Sequence, residues 1–190
     1  MQSFLYDIQL RTGNLFIQYS YTMLTAFRSE QTLSGMKFLE HTVQTYFSSE
    51  LEIHTLVQEF RNRTLPAPQW THEAHLITGL WFNYYHTQAE AICYLRSGII
   101  SYNISTGGEN TPERGYHETI TIFWCKILRH YIAKNSHLPL LKLCNNFLKS
   151  EWSSRDLPLQ YYSREVLFST HARAMWVKPD RSESLDEIIF

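Results

Sequence analysis

Apolar residues recur at helical spacing through most of this chain. Met36, Leu39, Val43 and Tyr46/Phe47 fall three, four and three to four apart, which predicts a helix over about 36–48. Leu51, Leu56, Val57 and Phe60 carry an apolar stripe into a helix that ends before Pro66. Leu65-Pro66-Ala67-Pro68 is a linker, because each proline lacks a donor and restricts the residue before it. A helix over 72–86 follows, with Thr71 in N-cap position. Ala89, Ile92, Leu95, Ile99 and Tyr102 form the buried face of a helix over 88–104. Ile120, Phe123, Trp124, Ile127, Leu128 and Tyr131 line one side of a long helix over 116–134, with Lys126, Arg129 and Lys134 turned outward. A further helix over 138–148 has Pro139 in its first turn, where proline is tolerated. Asp156-Leu157-Pro158 breaks the chain, and two short helices follow. Ser163 caps the first, over 164–168, and Ser169 the second, over 171–176.

Two stretches depart from this pattern. Tyr6, Ile8 and Leu10 alternate with polar residues, Thr12-Gly13-Asn14 signals a turn, and Leu15, Ile17, Tyr19 and Tyr21 alternate again, as in a β-hairpin. Ser105 to Gly115 is a loop by composition. It lacks the G-x-x-x-x-G-K-[ST] pattern of a phosphate-cradling loop. Its position before Tyr116-His117-Glu118 makes it a mobile cover beside a site. The chain thus divides into an N-terminal extension (1–48), a helical domain (49–181) and an acidic, frayed tail (182–190) entered through Val177-Lys178-Pro179-Asp180. The fold class is all-α, a compact bundle of five or six helices.

Composition narrows the functional classes. With 190 residues, 44% of them hydrophobic and 15% aromatic, the chain can bury a sizeable core. The net charge is −1 with both signs interspersed, which leaves no basic footprint for nucleic acid or a membrane surface. No apolar run approaches the roughly 18 residues of a membrane helix, and the N-terminus lacks a signal-peptide pattern. Cys93, Cys125 and Cys144 are odd in number and far apart, so neither a disulfide framework nor a cysteine zinc site follows. A reducing, cytoplasmic setting is the expectation. Oligomeric state is not set by any of this.

Histidine, with nine copies, is the unusual residue. At about 100° per residue, His72, His75, Gly79, Phe82 and His86 share one helical face. A mid-helix glycine costs about 1 kcal/mol relative to alanine, so Gly79 marks a close approach by another helix or a ligand. His72 and His75 stand one turn apart, and His117 heads another helix and faces inward. Side chains from facing helices build metal sites in bundle cores in this way. Three imidazoles suit zinc, iron or manganese and leave a position open for water. The pattern is not H-E-x-x-H, since the spacing is i, i+3 and Glu73 points about 100° away from His72. Glu118 and Glu73 are candidate proton-handling groups. Glu118 also suits the positive end of its helix in a purely electrostatic role. Tyr116, Arg96 and Arg173 are candidate substrate-binding residues, although each arginine suits an ion pair equally well. Cys125 reads as an inert buried thiol.

Trp70-Thr71-His72-Glu73-Ala74-His75-Leu76, Gly115-Tyr116-His117-Glu118-Thr119-Ile120-Thr121, Tyr161-Tyr162-Ser163 with Leu167-Phe168-Ser169, and Ala172-Arg173 with Trp176, Pro179 and Asp180 resemble a family of small bacterial conserved hypothetical proteins. The resemblance covers about residues 52–181. It implies a compact helical domain and brings no activity.

Three functional readings remain open at this point. In one, a metal-dependent enzyme acts on a small molecule through His72, His75 and His117. In another, a metal-free module binds a small carboxylate or phosphate ligand in a pocket of histidine, tyrosine and arginine. In the last, a helical interaction protein uses its histidines only to tie the bundle together.

Overall fold

The computed structural model describes residues 46–181. The expected hairpin, most of the helix over 36–48 and the acidic tail lie outside the described residues. Among those described, the chain is helical with no strand, as the periodicity predicts. Five helices carry the domain: α1 (Glu50–Asn62), α2 (His72–Tyr85), α3 (Gln88–Ser105), α4 (Glu118–Lys134) and α5 (Leu140–Lys149). Three short ones close it: α6 (Pro158–Tyr161), α7 (Arg164–Leu167) and α8 (Thr170–Ala174). None of these helices is long and apolar enough to cross a membrane.

Local chemistry sets the helix starts. Side chains of Ser49, Thr71, Ser163 and Ser169 each accept a backbone N–H of the first turn, and Thr87 with Glu90 forms a reciprocal capping box. Residues 46–49, the described end of the helix expected over 36–48, are non-helical and lead into α1, which Ser49 caps. The Asp156-Leu157-Pro158 break is itself the start of α6, because proline fits a first helical position.

The bundle is built around α2. Leu76, Ile77, Thr78, Gly79 and Leu80 are consecutive and all buried, so this helix is enclosed on more than one side. Its broadest packing is against α4, with α1, α3 and α5 around the remainder. A Cβ on Gly79 would stand 2.9 Å from Leu128 Cδ1, so the close approach marked by that glycine is to α4. A second close approach joins α3 to α1, where a Cβ on Gly98 would meet the Phe60 ring at 2.8 Å. Phe60 is held there by Trp70, stacked at 4.5 Å, and by Tyr102 at 5.8 Å.

Polar side chains tie the helix ends together. Arg129 does not look outward as expected; its Nη1 donates to the carbonyls of Asn83 at 2.5 Å and His86 at 3.0 Å. It thereby satisfies carbonyls at the C-terminus of α2 that lack helical partners. The segment after α8 is pinned to α4. Thr119 Oγ1 donates to Met175 O at 2.8 Å and accepts from Val177 N at 3.1 Å, and Tyr162 OH donates to Val177 O at 2.9 Å. Asp180 accepts from Ser163 N, and Arg181 donates to the carbonyls of Tyr161 and Leu159, so the chain is fastened as far as residue 181.

The two glycine contacts predict different costs. Gly98→Ala forces a methyl against a ring that Trp70 and Tyr102 hold in place, and is expected to destabilise the domain by about 1–2 kcal/mol after the helix-propensity gain. Gly79→Ala meets only the end of a leucine side chain and is expected to stay within about 0.5 kcal/mol of wild type. Urea denaturation of both variants checks this ordering; equal costs would contradict it.

Candidate functional site

A cavity of about 460 Å³ lies between α2, α3 and α4. Its size is within the roughly 300–1,000 Å³ of small-molecule sites. Leu76 and Gly79 of α2, Leu95 and Ile99 of α3, and Trp124 and Leu128 of α4 give it apolar walls. Its polar edge comes from Thr71, His72, His75, Thr121 and Arg155. Trp70 also lines it, and the Trp70 Nε1–H is buried with no acceptor among the described residues.

His72 and His75 reach this cavity from the first turn of α2, and each uses one ring nitrogen on a carbonyl. His72 Nε2 lies 2.9 Å from Ser153 O. His75 Nδ1 lies 2.6 Å from Thr71 O. A carbonyl only accepts, so Nε2 of His72 and Nδ1 of His75 carry the protons. The remaining nitrogens, Nδ1 of His72 and Nε2 of His75, have no partner among the described residues. The His72 ring stands edge-on to Trp124 at 5.6 Å, and the His75 ring lies over Trp70 at 3.8 Å. His75 has solvent-accessible surface and lines the cavity. The protein packed around the ring matters more to its charge than that surface does. Burial, with the nearby Arg155 charge, outweighs the hydrogen bond to Thr71 O and pulls its pKa down to about 4, so the ring is neutral at pH 7.

His117 does not join them. It is the N-cap of α4 rather than a residue of its first turn. Its Nδ1 accepts from Ile120 N at 3.3 Å and its Nε2 donates to Leu167 O at 2.9 Å, which engages both ring nitrogens. It does not line the cavity. An N-cap side chain folds back on its own helix, which is why helical geometry misplaces it. Burial holds its pKa below the usual histidine value. Among the described residues no three His, Cys, Asp or Glu side chains are grouped to hold a metal ion. His72 and His75 each keep one free ring nitrogen for zinc, iron or manganese, but the structure does not bring His117 to them as a third ligand.

Glu118, Arg96 and Tyr116 form a separate polar cluster. Arg96 grips the Glu118 carboxylate with two nitrogens, its Nε at 2.9 Å from Oε2 and its Nη2 on Oε1, and Tyr116 OH donates to Oε2 at 2.6 Å. Burial pushes the Glu118 pKa up, but the hydrogen bonds from Arg96 and Tyr116 outweigh it and hold the pKa below the usual range. The ion pair anticipated for Arg96 is therefore present, and Glu118 is occupied by it. Arg173 Nη1 donates to Gly115 O at 3.2 Å and Tyr116 O at 3.1 Å, fixing the end of the 105–115 loop. That loop is no lid over the cavity. Asn110 stitches it to Asn103 and Ile100 of α3, and none of its residues lines the cavity. Glu73 faces away as its spacing predicts, into an open groove of about 820 Å³ shared with Glu52 and Glu59. The Cys125 thiol, pushed up to about 12 by burial, is unreactive as expected.

Arg155 is the site residue that sequence reasoning misses. It lies in the turn after Ser154, outside any periodic pattern, and only tertiary folding brings it to the cavity. It is exposed, and among the described residues it has no ion pair or hydrogen bond.

The role of His117 is directly measurable. His117→Ala removes a cap and leaves a buried carbonyl unpaired, at an expected cost of about 2–3 kcal/mol. His117→Asn keeps the cap and is expected to cost about half as much, read as urea midpoints. The depressed pKa values of His75 and His117 also set a pH dependence. The unfolded chain binds a proton near pH ~6.5 more readily than the folded one. Their contribution is thus complete above that pH and is lost as pH falls towards the folded value, about 4 for His75. A His75→Asn/His117→Asn double variant is expected to lose less stability between pH 7.5 and 5 than wild type does. Parallel losses would contradict this account.

No family model, curated protein or solved structure matches this chain, so the reading of its site rests on the geometry of its own residues.

Proposed function

We propose that this domain is a binding module that takes a small molecule into the α2–α3–α4 cavity without a bound metal. The observation that carries the reading is the composition of the cavity lining. Apolar side chains from three helices form its walls, with a few polar groups among them, three of which (Thr71, His72 and His75) stand at the start of α2. Sites for small molecules have this composition, with a few placed polar groups that fix orientation. The neutral imidazole of His75, fixed in one tautomer by Thr71 O, offers an acceptor there. Metal-dependent catalysis is less well supported, since it needs a third ligand and His117 has both ring nitrogens engaged.

The neutral probe 2-naphthylmethanol tests the reading. Wild type is expected to bind it saturably at one per chain, to change its tryptophan emission through Trp124, and to melt at a higher temperature in its presence. Ile99→Trp, which fills the cavity, is expected to abolish binding while leaving the helical circular dichroism intact. Chelator treatment is expected to leave binding unchanged. Binding that survives Ile99→Trp, or that requires a stoichiometric transition metal, would contradict the proposal.

A further inference from the structure

We infer that the ligand of this cavity is an anion with an apolar body, whose charged group is received by Arg155. The inference rests on the cavity being a ligand site and specifies what that site selects. Among the described residues, Arg155 is the only arginine or lysine lining the cavity, and no carboxylate lines it. The one buried carboxylate among the described residues, Glu118, is taken up by Arg96 and Tyr116 and does not line the cavity. Glu73 feels the Arg155 charge, but it lies beyond ion-pair distance and faces the opposite groove.

The other polar groups at that edge are committed in ways that leave the anion to Arg155. The His75 ring is neutral, so its nitrogen not engaged with Thr71 O is a lone-pair acceptor, which does not hold a negative charge, and the Nε2–H of His72 is taken by Ser153 O. Thr121 Oγ1 donates its hydrogen to His117 O at 2.9 Å. The Thr71 hydroxyl is engaged with the first turn of its own helix and with Glu73. Arg155 therefore has the uncommitted donors at the edge, and the guanidinium geometry suits a planar carboxylate. The apolar walls exclude a ligand that is charged throughout, such as a bare phosphate. Trp70 adds a second donor in the wall that lacks an acceptor.

Three probes with one body separate the possibilities: 2-naphthoate, 2-naphthylmethanol and 2-naphthylmethylamine, each titrated by calorimetry. Wild type is expected to bind the carboxylate about two- to fivefold more tightly than the alcohol, the range of an exposed ion pair, and the amine most weakly. Arg155→Gln is expected to remove that preference while alcohol binding changes less than twofold. Arg155→Lys is expected to keep part of it. Raising NaCl from low to high concentration is expected to weaken naphthoate binding to wild type and to leave the alcohol unaffected, a readout that needs no variant. Equal affinities for carboxylate and alcohol, or naphthoate binding that ignores both Arg155→Gln and salt, would overturn the inference and leave the cavity reading standing. Failure of all three probes to bind would overturn both.

Discussion

The structure depends on the burial of α2 from several sides, most broadly by α4, with Leu128 seated against its backbone at Gly79. The rest of α2 is then buried by α1, α3 and α5. A central helix apolar on several sides has no stable place in water on its own, so its neighbours are a condition of its folding. The same crossing leaves the cavity. At the N-terminal end of α2, the first-turn histidines and the Trp70 ring border a space that the apolar side chains do not fill.

Polar chemistry then fixes the periphery. Arg129 closes the C-terminus of α2, His117 opens α4 and reaches Leu167, and Thr119 holds the segment after α8. Arg96 and Tyr116 saturate Glu118. A buried carboxylate left unpaired is strongly destabilising, so this cluster is better understood as a structural joint between α3 and α4 than as a proton-handling group. The motif Tyr116-His117-Glu118-Thr119, prominent in the sequence, is largely accounted for by these duties. Each of its four side chains has a named partner in another element or in its own helix.

Much of the fold is legible in the sequence because amphipathic periodicity and N-caps are local properties. Thr71, Ser163 and Ser169 cap where serine and threonine before an apolar run predict. Gly79 is readable as a contact point for the same reason: its cost within a helix demands a compensation. The site is less legible. Helical spacing places His72 and His75 together correctly, but it treats His117 as a member of the first turn, and an N-cap has extended backbone geometry and a different direction. The 105–115 segment has a loop composition, yet the hydrogen bonds of Asn110 to α3 are long-range facts that composition does not encode. Arg155 has no periodic context at all. Its place beside the α2 histidines is set by the turn that follows α5, where Ser153 O also receives the His72 ring.

The central claim is that the space between α2, α3 and α4 receives an apolar body with its anionic end at Arg155. Anomalous scattering from crystals soaked in 6-bromo-2-naphthoate tests it most directly. The account predicts one bromine peak within the walls formed by Ile99, Leu128 and their neighbours, with the carboxylate density towards Arg155. A peak in the open groove beside Glu52 and Glu59, or a carboxylate turned away from Arg155, would contradict it.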